Sequence, residues 1–110
     1  MESTIAVERL AALAQETRLA IFRLLVRYGR DGRCVGDIQS ELGLASATLS
    51  FHLKELNRAG LLQSRQEGRF IYYAADFAAM NNLLGYLNEH CCADGAMDSA
   101  CCPPTRLSND

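Results

Sequence analysis

No stretch of this 110-residue chain contains the roughly 20 consecutive apolar residues that a membrane-spanning helix needs. The first ten residues, MESTIAVERL, also lack the apolar core of a secretory signal peptide. We therefore expect a cytoplasmic protein without a membrane partner. Hydrophobic residues nevertheless make up 49% of the chain, which excludes wholesale disorder and predicts one small folded domain.

The chain also lacks an excess of positive charge, because its formal net charge is −2. A negative sum argues against nucleic-acid binding, but the charges are unevenly distributed. Residues 46–75 carry four positive and two negative side chains, whereas residues 76–110 carry one positive and five negative ones. Phosphate groups respond to the local patch, so the basic middle of the chain keeps nucleic-acid binding open.

Hydrophobic periodicity predicts five helices and one β-hairpin. The helices are expected at about residues 3–13, 15–28, 36–42, 46–59 and 76–90, and the hairpin strands at 62–65 and 70–73. Glu67-Gly68 is a turn signal between the strands, Gly29–Arg33 is expected to be a loop, and Ser46 is expected to cap the fourth helix. We divide the chain into a folded domain, residues 1–92, and an irregular tail, residues 93–110, that bears cysteines.

A short helix, a turn, a second helix and then a basic hairpin form the layout of a winged helix-turn-helix. Leu49, Leu53 and Leu56 place one apolar stripe along the fourth helix and turn its other residues outward. The candidate DNA-binding residues are Ser46, Ala47, Thr48, Ser50, Phe51, His52, Lys54, Arg65 and Arg69. For His52 a phosphate contact or a partly packed ring is favoured over a metal-ligand role. On this pattern alone, an ordinary helical bundle with solvated charges stays an alternative.

Three runs, LAALAQETRLAIFRLL, LGLASATLSFHLKELNRAGLL and SRQEGRFIYY, resemble the arsenic-repressor (ArsR/SmtB-type) family of metal-responsive repressors. The resemblance covers roughly Val7 to Leu87. It implies a mostly α winged helix-turn-helix with a β-hairpin wing, which binds double-stranded operator DNA and forms a homodimer through its first and last helices. Apolar stripes on the terminal helices agree with that dimer. Ala45 and Ala47 depart from the family, which often has serine or proline there, and this leaves the cap and the base contacts open.

Four of the five cysteines fall within twelve residues, as Cys91, Cys92, Cys101 and Cys102. Thiolates are soft ligands, and structural zinc sites usually separate paired cysteines by two to four residues. Adjacent cysteines fit that spacing poorly, whereas a pyramidal As(III) or Sb(III) centre needs only three sulfurs on one side. Some members of the family carry a cysteine pair at this helix end with another just beyond, and respond to trivalent arsenic. The resemblance therefore implies a repressor that As(III) or Sb(III) releases from DNA, with no organic cofactor.

Two other sites of the family are incomplete in this chain. Relatives with arsenic bound before the recognition helix have the motif CVCDLC, where residues 34–39 here read CVGDIQ and keep only Cys34. We expect Cys34 to be a small buried or half-buried residue. Zinc-sensing relatives use histidines on the last helix, but here Ala78 and Glu89 stand at those positions beside a retained Asp76.

Several alternative functions on the same scaffold stay open at this point. They are a thiol-redox sensor, a sensor of another soft metal such as Cd, Hg or Zn, and a sensor of an organic arsenical. An enzyme such as a thiol reductase is not expected, because the chain has no Cys-x-x-Cys motif and no βαβ pattern.

Overall fold

The computed structural model describes residues 1–95, and it confirms the five predicted helices and the hairpin within them. The helices are α1 (Ser3–Leu13), α2 (Glu16–Tyr28), α3 (Val35–Leu42), α4 (Ser46–Arg58) and α5 (Phe77–Asn88). The strands are β1 (Arg33–Cys34), β2 (Leu62–Glu67) and β3 (Phe70–Ala75), and a short 3₁₀ turn at Gly29–Asp31 follows α2. Most of the predicted tail, with Cys101 and Cys102, lies outside the described residues, so the boundary at residue 92 stays a prediction.

The core forms where α2, α3 and α4 meet. Its fully buried large side chains are Ile21, Leu25, Ile38, Leu49, Leu56 and Leu61. Leu53 is 3% exposed, so the predicted stripe on α4 is confirmed as the face that packs inward. Because one side of α4 is fixed in the core, its opposite side is turned to solvent along its whole length.

The hairpin belongs to a three-stranded antiparallel sheet in the order β1-β3-β2. Its strands β2 and β3 run in register from Leu62 opposite Ala75 to Glu67 opposite Phe70. The predicted loop Gly29–Arg33 is wrong at its last residue, because Arg33 forms β1 with Cys34 and the two pair with Tyr73 and Tyr72. We call the hairpin of β2 and β3 the wing.

The two predicted helix caps have different outcomes. Ser46 is the first residue of α4, and the cap position belongs to Ala45, whose side chain cannot accept a hydrogen bond, so the predicted Ser46 cap is wrong. Asp76 does cap α5, because its Oδ1 accepts a hydrogen bond of 2.9 Å from the Ala79 amide. This bond, together with one from the Gln63 side chain to Oδ2, lowers the pKa of the Asp76 carboxyl below its ordinary value.

The terminal helices α1 and α5 pack against each other and leave an apolar surface uncovered. Exposed large apolar side chains on these two helices are Ile5, Val7, Leu10, Leu84 and Leu87. Leu83 differs from its neighbours, since it is 4% exposed and packs inside the protomer. None of the helices within residues 1–95 is long and apolar enough to cross a membrane.

Candidate nucleic-acid interface and thiol cluster

The outward side of α4 carries most of the candidate DNA-binding residues. Ser46, Ala47, Thr48, Ser50, Phe51 and Lys54 are all exposed. At about 100° per residue, Phe51 and Arg58 lie within about 15° of the line directly opposite the buried stripe, and Ala47 and Lys54 lie within about 50° of it. This line is the part of α4 that would enter deepest into a groove of DNA.

A groove of about 470 Å³ separates α4 from the wing. Ser50, Lys54 and Asn57 line it from α4, and Arg69 and Phe70 line it from the wing. Cationic side chains therefore stand on both walls, at a spacing set by the fold. A groove of this kind suits one sugar-phosphate strand, because phosphate contacts fix the position of a helix that reads bases.

The two arginines of the wing differ in how they are held. Arg65 Nε donates to Glu67 Oε2 at 2.6 Å, and Arg65 Nη1 donates to the Asp31 carbonyl at 2.8 Å. Its guanidinium also lies 4.7 Å from the centre of the Tyr72 ring. The hydrogen bond to Glu67 raises the pKa of Arg65 above its ordinary value. Arg69 is exposed and forms no ion pair within residues 1–95. Of the two wing arginines, it is therefore the one whose charge is directed to solvent.

His52 is buried and does not lie on the exposed side of α4, so of the two roles predicted for it the structure favours the packed ring over the phosphate contact. Its side chain is 8% exposed, and Arg18 Nη1 lies 3.3 Å from Nδ1 of the ring. Arg18 in turn donates from Nε to the Ala12 carbonyl at 2.7 Å, so the ring is held between α1, α2 and α4. The physical reason is its position three residues after Leu49 and four before Leu56, on the buried side of the helix. This spacing was visible in the sequence.

Cys91 and Cys92 follow α5 directly, and their sulfur atoms lie 3.5 Å apart. Cys91 is exposed, Cys92 is half-buried and disulfide-bonded, and the backbone at Cys92 has a positive φ of 63°. Among residues 1–95 no three potential metal ligands are grouped together. The other two predicted ligands, Cys101 and Cys102, lie outside the described residues.

Cys34 and Asp76 occupy structural positions in the fold. Cys34 is half-buried on β1, where it pairs with Tyr72 and precedes the first turn of α3. Asp76 uses both carboxylate oxygens, one for the α5 cap and the other for Gln63. The structure thus gives both residues a role within the fold.

The sequence matches a helix-turn-helix domain family over residues 13–65. The cadmium resistance regulator CadC of Listeria innocua is 35% identical over 72 residues, which cover 66% of this chain and 59% of that protein. The arsenic resistance regulator ArsR1 of Pseudomonas putida is 36% identical over 56% of this chain and 46% of its own length. The transcriptional activator HlyU of Vibrio cholerae is 32% identical over 79% of this chain and 78% of that protein. The chain belongs to the ArsR/SmtB-type family of winged-helix transcriptional regulators.

Solved structures agree with this assignment to the ArsR/SmtB-type family. An ArsR-like transcriptional regulator from Rhodococcus superposes with a TM-score of 0.70 at 29% identity, covering 78% of each chain. The winged helix-turn-helix domain of Mb0332 from Mycobacterium bovis, described as homodimeric, gives a TM-score of 0.62 at 30% identity, covering 79% of this chain and 81% of that one. This ArsR/SmtB-type chain spans about three-fifths of the length of CadC.

Proposed function

We propose that this protein is a cytoplasmic homodimeric repressor that binds double-stranded operator DNA through α4 and the wing and is released by trivalent arsenic or antimony. The observation that carries DNA binding is the groove between α4 and the wing, with Lys54 on one wall and Arg69 on the other. In this arrangement α4 enters the major groove while a phosphate strand lies between it and the wing. The net charge of −2 does not oppose this, because the contact surface itself is basic.

The homodimer is proposed from the apolar surface on α1 and α5. Val7 is 63% exposed and Leu87 is 57% exposed on these two helices. Monomeric proteins rarely leave apolar surface of this kind in solvent. A two-fold symmetric pairing of this surface buries it with no further partner. The homodimeric description of Mb0332 supports the same assignment.

The inducer site is proposed at the end of α5. Zinc–sulfur bonds are about 2.3 Å long, so two sulfurs 3.5 Å apart are close enough to share one atom bound at a similar distance. Cys91 and Cys92 would supply two thiolates and the tail a third, from Cys101 or Cys102. The disulfide at Cys92 must be reduced first, and a reducing cytosol provides that condition.

Release follows from the position of these thiols on the helix that carries the dimer surface. A ligand that ties the tail to the end of α5 favours dimer geometries in which the tail folds back. The two copies of α4 must match successive major grooves about one helical turn apart, so a change in dimer geometry lowers DNA affinity. Coupling of about 1–3 kcal/mol would weaken DNA binding roughly 5–150-fold.

A second candidate function is a thiol-redox sensor on the same scaffold, and the 3.5 Å separation of the Cys91 and Cys92 sulfurs favours it. In that case oxidation alone would alter the end of α5, with no metalloid involved. Sensors of Cd(II) or Zn(II) would use the same thiols, and both ions are included in the experiment below.

The deciding experiment measures release of the fully reduced protein from DNA. A duplex is first selected by the protein from a random-sequence library, and fluorescence anisotropy then follows release on addition of As(III), Sb(III), Cd(II), Zn(II) or the thiol oxidant diamide. We expect As(III) and Sb(III) to release the protein at the lowest concentrations. Release by diamide without metal, with no response to As(III), would instead establish the redox sensor. Failure to select any duplex would overturn the DNA-binding proposal itself.

A further inference from the structure

Phe51 is an aromatic side chain left in solvent at the centre of the outward side of α4. It is 55% exposed, although a buried position in the core would stabilise it by roughly 1.5–3 kcal/mol. Ala47, one helical turn earlier, is also exposed and apolar, while Ser50 and Lys54 flank the ring with polar groups. The middle of this helix therefore presents a narrow apolar strip bordered by polar side chains.

The Phe51 ring is held in place by a buried neighbour. It meets the His52 ring edge-on, with the ring centres 5.3 Å apart and the planes at 63°. His52 is itself fixed by the contact with Arg18, which is bonded to the Ala12 carbonyl. Its position next to this fixed ring restricts the orientations that Phe51 adopts, so the cost of ordering its side chain on binding is reduced.

The chemistry of base edges limits what such a ring can recognise. A phenyl ring neither donates nor accepts a conventional hydrogen bond, so it cannot read the polar groups of guanine, adenine or cytosine. In the major groove thymine alone among the four standard bases presents an apolar group, its C5-methyl. Phenylalanine is one of the side chains that pack against this methyl.

We propose that Phe51 is a specificity-determining residue that reads the C5-methyl of one thymine in each half of the operator. This inference rests on the DNA binding proposed above and adds a base identity to it. Ala47 extends the same apolar strip towards the N-terminus of α4, so the neighbouring base pair contributes a weaker preference of the same kind.

The test replaces thymine by deoxyuridine, which removes only the C5-methyl. In the duplex selected by the wild-type protein, each thymine is replaced in turn and the dissociation constant is measured by fluorescence anisotropy. At one position per half-site we expect deoxyuridine to weaken wild-type binding about fourfold, the value of burying one methyl group. Replacement in both half-sites then weakens binding by roughly 15-fold, and a 5-methylcytosine–guanine pair at the same position should bind more tightly than a cytosine–guanine pair.

The Phe51→Ala variant completes a double-mutant cycle with the replacement of thymine by deoxyuridine. It binds the thymine duplex more weakly than wild type does, and we expect it to bind the thymine and deoxyuridine duplexes equally well. Phe70→Ala is the matched control, because Phe70 is an equally exposed phenylalanine on the wing, and this variant should keep the deoxyuridine penalty. Wild-type binding that is indifferent to deoxyuridine everywhere, or a penalty that persists in Phe51→Ala, would overturn the inference while leaving DNA binding intact.

Discussion

The surface formed by α4 and the wing is held in place by contacts within one protomer, whereas the surface formed by α1 and the end of α5 leaves large apolar side chains exposed. In the first, core leucines fix α4, Arg18 fixes His52, and Arg65 ties the wing to Asp31. In the second, large apolar side chains of α1 and α5 stay exposed. Under the proposed function this difference matters, because a second copy and an inducer would act on the surface of α1 and α5 and leave the contacts that hold α4 and the wing unchanged.

The largest expected effect separates sensing from DNA binding. Replacing both Cys91 and Cys92 by serine keeps side-chain size but removes the soft thiolates, so we expect As(III) no longer to release the protein. Operator affinity before As(III) addition should equal that of wild type. Both cysteines follow α5, so they belong neither to α4 nor to the strands of the wing. Anisotropy titrations with As(III) measure both quantities.

The control and the contrary outcome for the thiol site use the remaining cysteines. Cys34→Ser should stay inducible, since Gly36 and Gln39 replace the other two ligands of that alternative site. Cys101→Ser and Cys102→Ser should each be partly inducible, and the double variant uninducible. Release of the Cys91→Ser/Cys92→Ser protein at wild-type concentrations of As(III) would place the site elsewhere.

A second prediction tests the exposed apolar surface of α1 and α5 directly. Leu87→Glu introduces a charge into the proposed dimer interface and should give monomers in sedimentation velocity, with stability of the protomer nearly unchanged. Leu83→Glu should behave differently, because Leu83 is buried within the protomer and its replacement lowers the free energy of unfolding by several kcal/mol. Asn82→Glu is the control that should stay dimeric, because Asn82 lies on an exposed side of α5 away from Leu84 and Leu87. Dimers of Leu87→Glu would exclude α5 as the contact.

The third prediction concerns the wing. Arg69→Ala removes a solvent-directed charge, so it should weaken binding to all DNA sequences alike and reduce the slope of log affinity against log salt by about one. Arg65→Ala should reduce that slope less, because Arg65 is already paired with Glu67. Binding measured at several salt concentrations gives both slopes. If neither variant changes its slope, the wing does not contact phosphate.

Local sequence patterns were sufficient to predict the helices with a regular apolar spacing. They failed for elements that form only through contact with a partner distant in the sequence. The spacing of Leu49, Leu53 and Leu56 predicted the buried side of α4, and the structure confirms it. The two-residue strand β1 is too short to have a period, and it exists only because β3, almost forty residues later, pairs with it. Gly32 helps this pairing, since a side chain there would collide with the Tyr73 carbonyl.

The candidate site shows the same division between local and distant causes. Helical spacing places His52 on the inward side, but the sequence left both a phosphate contact and a packed ring open, because its partner Arg18 lies 34 residues away. Leu83 and Leu87 share one apolar pattern in the sequence, and only packing against the rest of the protomer separates a core residue from an exposed one. No local pattern could assign Arg65 to the Asp31 carbonyl, because this contact spans 34 residues and requires the wing to lie beside the 3₁₀ turn.

The smallest expected effect lies at the start of α5, where the helix that carries the proposed sensing surface is joined to the wing. Asp76→Ala removes the cap and should lower the free energy of unfolding by about 1 kcal/mol at neutral pH, measured by urea denaturation. The pKa of Asp76 is lowered in the folded state, chiefly by the Ala79 amide, so the carboxylate stabilises the fold above its ordinary pKa of 3.8. That contribution is lost as the pH falls through the depressed value, and the difference between wild type and Asp76→Ala should narrow there. Asp76→Asn keeps a cap acceptor without the charge, so it should retain most of the stability but lose this pH dependence. A gap between wild type and Asp76→Ala that stays constant down to pH values well below 3.8 would show that the charge of Asp76 contributes nothing to the cap.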